Sequence, residues 1–389
     1  MNRKIAIIIE RADIALGGAE RSVFELRAAL SALDFEVDIL AAKGKANAKR
    51  IHVLCENISG KRMNFFVFEK ELKKFLSENK YDIIHSVLPF DFADIYQPRG
   101  GSYTETILRN AASYQNKFTE YYKNLTAVTN TRRTTLLRAE RKLAQASNGP
   151  VIAALSQYVA DQFKQHYNTS PQRIVIIPNG VKIDMPSHAK QADNFRSQIL
   201  ARLELKEADN PVLLFFVANN FRLKGLSTLI NAMQIVENKR LERQAYLLVA
   251  GHGKAQKYQP KSKNILFLGH LKHVYDALSI TDVAVLPTFY DPSSRFILEA
   301  LAAGKPVITT RYNGACDLFT ENRHGKVIDN PADAEELADA IEFFTNTTNI
   351  ENVSQAIVED NLRENISINR AARQLAETYE SILQKKGTD

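Results

Sequence analysis

Short apolar runs that alternate with longer amphipathic segments constrain the fold of this chain most. The apolar runs read KIAIII, EVDILAA, DIIHSVL, PVIAAL and IVIIPNG in the first half, and VLLFFVA, AYLLVAG, NILFLG, DVAVLP and PVITT in the second. Several are almost wholly apolar, which is typical of strands whose two sheet faces are both covered by helices. The alternation occurs twice, so we predict an α/β protein with two doubly wound, Rossmann-like parallel sheets.

The length of 389 residues is compatible with two domains. We predict a first domain over residues 1–180 and a second over residues 181–367. An amphipathic segment at about residues 368–389 should form a helix that packs back on the first domain. The junction is IIPNGVKIDMPS, residues 176–187. Three residues in it interrupt the local pattern and form the predicted hinge: Pro178, Asn179 and Gly180.

Positive charge is concentrated in the first half of the chain. The net charge is +7, and residues 101–150 alone contain eight lysines and arginines against three acidic residues. A basic stretch of this kind indicates an anionic partner for the first half. Tyrosine, phenylalanine and leucine are mixed with the basic residues over positions 107–145, as in helices that lie on an anionic lipid surface. A solvated pair of surface helices is the alternative interpretation.

The cysteines and the apolar segments limit the setting of the protein. Cys55 and Cys316 are the two cysteines. Their spacing is unlike that of zinc ligands, and so few cysteines argue against a disulfide framework and favour a reducing compartment. Acidic and basic residues from Glu10 onward interrupt the first apolar run too early for a signal peptide. No apolar run approaches the roughly 18 residues that a membrane span needs. We therefore expect a cytoplasmic protein.

The stretch YDPSSRFILEALAAG, residues 290–304, contains the most informative local pattern. It follows the buried strand DVAVLP, and it predicts a loop and then a helix that ends at Gly304. Ligands of doubly wound sheets bind beyond the carboxyl ends of the strands. The free amides at the start of the next helix attract anions there. Ser293 or Ser294 can cap this helix.

These features predict a phosphate with polar groups on either side of it. The backbone amides of Ser294, Arg295 and Phe296 would face the phosphate. Asp291, in the loop, would reach a second group beyond the phosphate. Glu299 lies about one turn inside the helix and would accept hydrogen bonds from paired hydroxyls. The pattern suits a ribose, a diphosphate and a sugar.

Arg222 and Lys224 belong to the segment FRLKG, which follows the strand VLLFFVA. Fixed cations are suited to a departing diphosphate, and a guanidinium matches phosphate oxygens well. Gly17 and Gly18 follow the first strand and allow the backbone to approach a ligand closely.

The chain resembles the retaining glycosyltransferases of family 4, which have the GT-B fold. The resemblance spans nearly the whole chain and rests on Asp291 and Glu299, which are separated by seven residues, with ALAAGKPVITT and NGACDLF after them. It rests also on these segments: GGAER, IIPNGVKID, FRLKGLSTLINAM, VAGHG and ILFLGHL. The family usually has glutamate where Asp291 stands, and an aromatic–glycine pair where PSSR stands. Both departures leave the transferred sugar open.

The resemblance implies two domains that face a central cleft, with the acceptor on the first and a nucleoside diphosphate sugar, UDP-linked, on the second. It implies that Arg222 and Lys224 hold the diphosphate and that the loop at Gly17 and Gly18 lies opposite it. The loop at His270 and Leu271 would contact the nucleobase. Three residues would line the acceptor side: His85, Asp94 and Arg99. A histidine at a strand end is as often a satisfied core group, so a core position is the alternative for His85. Arg99 would bind an anion of the acceptor.

The resemblance also implies transfer with retention of configuration, without a metal ion or organic cofactor. Lipopolysaccharide-core glucosyltransferases carry a similar basic insertion, which implies a glycan or lipid-linked acceptor and peripheral binding at the cytoplasmic face of the inner membrane. The alternatives are a sugar-nucleotide epimerase, a nicotinamide oxidoreductase and a non-catalytic binding protein. The sequence lacks the GxGxxG fingerprint of the oxidoreductases. A nucleic-acid partner is not expected.

Overall fold

The computed structural model describes residues 3–13, 17–44, 49–55, 64–183, 189–253, 255–258, 262–271 and 274–387. The strands are β1 (Lys4–Ala12), β2 (Glu36–Gly44), β3 (Ile51–Val53), β4 (Ile83–Ser86), β5 (Ile95–Tyr96), β6 (Val151–Ala154), β7 (Ile174–Ile176), β8 (Val212–Val217), β9 (Ala245–Ala250), β10 (Ile265–Gly269), β11 (Val283–Leu286), β12 (Val307–Thr310) and β13 (Gly325–Ile328). The α-helices are α1 (Gly18–Ser31), α2 (Phe65–Glu78), α3 (Tyr103–Ala112), α4 (Lys117–Leu125), α5 (Thr131–Gln145), α6 (Gln157–Tyr167), α7 (Ala189–Arg202), α8 (Leu226–Glu237), α9 (Val274–Ile280), α10 (Arg295–Ala302), α11 (Ala334–Phe343), α12 (Thr347–Glu359), α13 (Leu362–Asn365) and α14 (Ile368–Lys386).

The described strands form two parallel sheets. The strand order is β3-β2-β1-β4-β5-β6-β7 in the first sheet and β10-β9-β8-β11-β12-β13 in the second. In the first, Ile5 lies opposite Val37 on one side and Ile83 on the other. The strand order reverses next to β1 and next to β8, and ligands of such sheets bind at the carboxyl ends of the strands beside this point. The predicted α/β class with two doubly wound sheets is confirmed.

Alternation along β1 explains how the first sheet is covered on both faces. Ile5, Ile7 and Ile9 face one way and pack with residues of α1 and α14. Ala6 and Ile8 face the other way and pack with residues of α2 and α5. Successive side chains of a strand point to opposite faces, so an all-apolar strand requires a helical layer on each side.

The second sheet is centred on β8, whose residues from Val212 to Phe216 are fully buried. Side chains of α8, α10 and α11 pack with it in one continuous core. Phe296, in the first turn of α10, meets Phe215 edge to face with ring centroids 5.5 Å apart. This packing fixes the start of α10 against the strand layer.

The chain divides into two compact units. The first contains Met1–Leu108, Tyr121–Gly180 and Ser367–Asp389, and the second contains Arg109–Glu120 and Val181–Ile366. Residues 109–120 therefore group with the second unit, although the sequence places them in the first domain; the contacts of this segment are described below. Residues 184–187 of the predicted junction and residues 388–389 lie outside the described residues.

Gly180, in the predicted hinge, is required by a close backbone approach within the first unit. A Cβ on Gly180 would lie 2.5 Å from the carbonyl oxygen of Ser367 and 2.5 Å from Cα of Ile368. The start of α14 thus packs directly on the end of the segment that follows β7. Helix α14 also packs along α1.

Three short strands are missing from the sequence prediction: β3, β5 and β13. Their residues, IHV, IY and GKVI, do not form a continuous apolar run of the kind that marks the other short strands. Cys55 and Cys316 are both free thiols. Among the described residues no helix is both long enough and apolar enough to cross a membrane.

Candidate active site

The loop between β11 and α10 is fixed by hydrogen bonds to the loop after β12. The backbone N–H of Asp291 donates to the carbonyl oxygen of Tyr312 at 2.9 Å, and Gly314 N–H donates to the carbonyl oxygen of Asp291 at 2.9 Å. The Thr310 hydroxyl donates to the carbonyl oxygen of Thr288 at 2.6 Å. The end of β12 and the loop after it therefore hold the Asp291 loop in place.

Lys224 and Asp291 come together at the carboxyl ends of β8 and β11. Lys224 Nζ donates to Asp291 Oδ2 at 2.7 Å and to the carbonyl oxygen of Tyr290 at 2.8 Å. Asp291 Oδ1 accepts from the Ser293 backbone N–H at 3.1 Å. Both carboxylate oxygens thus hold protein donors, and the ammonium group is fixed at the edge of the sheet where ligands bind.

Gly225 allows the Lys224 loop to approach the β11 loop. Its φ is +79°, in the left-handed region, and a Cβ there would lie 1.9 Å from the carbonyl oxygen of Pro287. A residue with a side chain would suffer both backbone strain and a clash. In the sequence pair Lys224–Gly225, the lysine supplies the cation, and the glycine allows the backbone conformation that positions it.

Helix α10 begins beside this pair, as predicted, with Ser294 as its N-cap. Ser294 Oγ accepts from the Ile297 N–H at 3.5 Å. The Ser294 N–H itself donates to Asn313 Oδ1 at 3.1 Å. Asn313 therefore occupies this amide in this structure, and the contact of the amide with a phosphate stays a prediction.

Glu299 lies one turn into α10, where the sequence places it, and is 7% exposed. Arg295 Nη2 donates to Glu299 Oε1 at 3.3 Å. The guanidinium of Arg295 therefore neutralises a nearly buried carboxylate within the same helix. Arg295 is the first residue of α10, and its side chain binds the Glu299 carboxylate, the group predicted to contact the ribose.

Arg222 does not lie beside Lys224 as a free cation. Its Nη1 donates to the Asn110 carbonyl oxygen at 2.8 Å and to Ser113 Oγ, and its Nη2 donates to Asn110 Oδ1 at 3.2 Å. The guanidinium also lies over the Tyr114 ring, 3.7 Å from its centroid. A planar fork suits both oxygen acceptors and an aromatic face. In this structure Arg222 therefore anchors residues 109–116, and its contact with the diphosphate stays a prediction.

Two further contacts fix the same segment on the second unit. Arg109 lies over the Tyr312 ring, 3.8 Å from its centroid. Gln115 Nε2 donates to Thr228 Oγ1 at 2.9 Å. The carbonyl oxygen of Tyr312 also accepts the hydrogen bond from the Asp291 N–H. Residues 109–116 therefore contact the loop that fixes Asp291. Sequence reasoning missed this role of residues 109–116, which no period or motif indicates.

His270 and Leu271 follow β10 at the carboxyl edge of the second sheet. The His270 ring packs on the His252 ring with centroids 4.1 Å apart, and His252 Nδ1 lies 3.3 Å from Asn219 Oδ1. His270 is exposed. The loops after β8, β9 and β10 therefore meet at this edge, where the family resemblance implies contact with the nucleobase.

His85 is a core residue and does not line a ligand edge. It is 0% exposed, and its Nδ1 lies 2.7 Å from the Tyr379 hydroxyl of α14. Burial, with a smaller contribution from the positive charge of Arg99, lowers the pKa of His85 to about 3. The ring is thus neutral and enclosed, so its predicted contact with the acceptor is wrong for this structure.

Asp94 is also corrected, because it precedes β5 and therefore lies at the amino edge of the sheet. Its Oδ2 accepts from the Ile84 backbone N–H at 2.8 Å, and its Oδ1 lies 2.6 Å from Lys386 Nζ. Ligands of parallel sheets bind at the opposite edge. Strand β5 has only two residues and leaves no pattern in the sequence, so the sequence does not show that Asp94 precedes a strand.

Arg99 follows β5 at the carboxyl edge and binds Asn179, which belongs to the predicted hinge. Its Nη1 donates to Asn179 Oδ1 at 2.7 Å and to Ser22 Oγ at 3.0 Å. Both of these acceptors are neutral, and the contact of Arg99 with an acceptor anion stays a prediction. Gly17 caps α1, and Gly18 is the exposed first residue of that helix.

Comparison with known proteins decides between the classes of doubly wound protein. The family model described as Glycosyltransferase Family 4 matches residues 16–185, and the model described as Glycosyl transferases group 1 matches residues 198–367. Together they cover most of both units. The chain belongs to glycosyltransferase family 4.

One curated relative in this family is the lipopolysaccharide glucosyltransferase WaaG of Escherichia coli (strain K12). It is 27% identical over 203 residues, which are 51% of this chain and 53% of the relative. The chain thus spans about half the length of the curated relatives it matches.

Solved structures of glycosyltransferases resemble the whole chain. A crystal structure of WaaG has a TM-score of 0.67 at 19% identity and covers 98% of both chains. Sucrose-phosphate synthase from Thermosynechococcus elongatus has a TM-score of 0.74 at 20% identity, covering 99% of this chain and 100% of that one. Anabaena HepE in complex with UDP-glucose has a TM-score of 0.69 at 16% identity, with 97% and 99% covered. These likenesses show the fold, which is GT-B.

Proposed function

We propose that the chain is a retaining hexosyltransferase. It would move a sugar from a UDP-linked donor to a glycan or lipid-linked acceptor such as a lipopolysaccharide core. The observation that carries the proposal is the Lys224–Asp291 pair at the carboxyl ends of β8 and β11, beside the start of α10. A fixed ammonium and a helix N-terminus provide positive charge where a leaving diphosphate gains negative charge. Family membership supports a nucleotide sugar as the donor.

In the proposed reaction the bond between the anomeric carbon and the diphosphate oxygen breaks first. Lys224 stabilises the charge on the departing diphosphate, and Asp291 keeps Lys224 in place beside the transferred sugar. The acceptor hydroxyl attacks the same face of the sugar, and its proton goes to an oxygen of the departing phosphate. Glu299 accepts hydrogen bonds from the ribose hydroxyls. The proposal includes no metal ion and no organic cofactor.

We also propose that the protein works as a peripheral protein at the cytoplasmic face of the inner membrane. Helix α4 supports this location because several large side chains on it are exposed to solvent: Phe118, Tyr121, Tyr122 and Leu125. Lys117 and Lys123 lie on the same helix. Aromatic and apolar side chains next to lysines are typical of helices that bind anionic lipid surfaces.

A thermal-shift screen with UDP, GDP, ADP, their sugars and NAD tests the donor site first. A ligand that binds only the folded state raises the unfolding midpoint. We expect UDP and a UDP-hexose to raise it, and Glu299→Ala to lose that shift. A shift with NAD alone would overturn the proposal.

Turnover with the donor identified in this way then tests the reaction. Lys224→Ala should lower kcat/KM by roughly 10²–10³-fold. Lys263→Ala, an exposed lysine of the same unit, should change little. The product anomer, read by NMR, should match the donor, and EDTA should leave the rate unchanged. Conversion of the donor without any acceptor would indicate an epimerase, and binding without turnover would indicate a binding protein.

A further inference from the structure

A pocket separate from the Lys224–Asp291 site opens in the first unit. Its volume is about 330 Å³, which lies in the range of small-molecule pockets. It is bounded by the start of α2, the segment after β4 and the middle of α5. Its apolar lining consists of Phe65, Phe66, Pro89, Phe90 and Ala139. The segment that includes Phe90 follows the carboxyl end of β4, so the pocket lies towards the ligand edge of this sheet.

Aromatic rings form its walls and leave apolar surface open to solvent. Phe65 stacks on Phe90 with ring centroids 4.7 Å apart and planes at 14°. Phe66 meets Phe65 edge to face at 5.6 Å and is itself 63% exposed. An exposed phenylalanine beside a concave apolar surface is typical of a site that a ligand covers.

The polar groups that line the pocket are mostly engaged with the protein. Lys73 Nζ lies 2.6 Å from Glu69 Oε1, and Lys142 Nζ lies 2.7 Å from Asp91 Oδ2. The Thr135 hydroxyl donates to the carbonyl oxygen of Thr131, one turn earlier in α5, at 2.9 Å. A sugar needs many polar partners, and most polar groups of this lining are already bound to the protein. The remaining surface is apolar and suits an alkyl chain.

Arg138 is the exception and gives the pocket its charge preference. Its exposed guanidinium lines the pocket, and it makes no ion pair with any residue that the structure describes. The first amides of α2 do not compete for an anion, because Asn64 Oδ1 accepts from the N–H groups of Phe66 and Val67. An anion at the mouth of the pocket would therefore bind Arg138, which forms strong hydrogen bonds with phosphate.

We propose that this pocket binds a single-chain alkyl phosphate, with the chain against Phe65, Phe66 and Phe90 and the phosphate at Arg138. For a transferase with a lipid-linked acceptor, the ligand is the lipid end of that acceptor. That identification rests on the proposed function; the binding of an alkyl phosphate does not.

Dodecyl phosphate, used below its micelle concentration, is the probe, and calorimetric titration measures its binding. We expect Ala139→Trp, which fills the pocket, to abolish binding, and Val358→Trp, at an exposed site in the second unit, to leave it unchanged. Arg138→Gln should weaken binding roughly fivefold, since exposed ion pairs contribute up to about 1 kcal/mol. Arg141→Gln, on the same helix outside the pocket, should have no effect. Phe66→Ser should weaken binding and provides a second test if Ala139→Trp fails to fold.

Two control ligands distinguish the contribution of the alkyl chain from that of the phosphate charge. Dodecyl maltoside should bind more weakly than dodecyl phosphate, and inorganic phosphate should not bind measurably. Equal binding by Ala139→Trp, or equal affinity for the maltoside, would overturn the proposal. UDP titrated into the same variants keeps the two hypotheses apart: Ala139→Trp should still bind UDP, and a failure of UDP alone would count against the proposed function only.

Discussion

Lys224 Nζ and Asp291 Oδ2 lie 2.7 Å apart, although 67 positions separate the two residues in the chain. The two side chains are only 20% and 16% exposed. Removing one partner of such a pair leaves the other charge poorly solvated, which costs more than the loss of a surface pair. The two residues should therefore act as one unit.

A double-mutant cycle tests this coupling. We expect Lys224→Ala and Asp291→Asn each to lower kcat/KM with the nucleotide sugar, because Asp291 acts largely by holding Lys224. The double variant should then be no worse than Lys224→Ala alone, within about twofold, as for residues that act together. Losses that multiply would show that Asp291 contacts the sugar independently of Lys224.

Arg222 should control the order of residues 109–116. Removal of its guanidinium eliminates three hydrogen bonds and the contact with the Tyr114 ring. We expect Arg222→Ala to raise amide hydrogen exchange in residues 109–116, and Arg222→Lys to restore little because lysine lacks the planar fork. Arg240→Ala, an exposed arginine of the same unit, is the control. Unchanged exchange in Arg222→Ala would mean that the segment is held by other contacts.

The sequence predicts the parts of this protein that depend on local pattern. Long apolar strands, the KG loop and the α10 cap each carry their signal within a short stretch of sequence. The ion pair between Lys224 and Asp291 is not predicted, because it joins two loops that are far apart in the chain. The prediction that Asp94 lines the acceptor side is wrong because β5, which follows Asp94, has only two residues and therefore shows no period in the sequence. The contacts of Arg222 could not be predicted, because its acceptors lie more than one hundred positions away, at Asn110 and Ser113. Asn313, in an Asn-Gly turn signal, could have been identified as a loop anchor.

Two glycines provide a test of the close approach behind Lys224. Gly225 and Gly304 have similar φ angles, +79° and +71°, but a Cβ on Gly225 would clash with Pro287 whereas a Cβ on Gly304 has no atom within 4 Å. Gly304→Ala should cost about 1 kcal/mol from backbone strain alone. Gly225→Ala should cost clearly more and should also lower turnover by displacing Lys224. Chemical denaturation of both variants measures the difference; equal losses of stability would contradict the clash.

Glu140 of α5 is fully buried in the first unit among three tyrosines. It accepts from the Tyr96 hydroxyl at 2.7 Å, the Tyr167 hydroxyl at 2.6 Å and the Tyr103 backbone N–H at 2.7 Å. Burial raises the pKa of Glu140 from 4.5 to about 7, although these hydrogen bonds act in the opposite direction. The folded state therefore retains a proton that the unfolded chain releases.

The stability of the first unit should consequently fall as the pH rises from about 4.5 to 7, and change little from this group outside that window. The upper limit of the loss is about 3 kcal/mol, from 1.36 kcal/mol per pKa unit. Glu140→Gln removes the titration and keeps an acceptor for the tyrosines, so its unfolding midpoint should lose this pH dependence. Calorimetric scans of both proteins across this range measure the effect. Parallel curves would mean that Glu140 is already ionised in the folded protein at pH 4.5 and that its three hydrogen bonds outweigh burial.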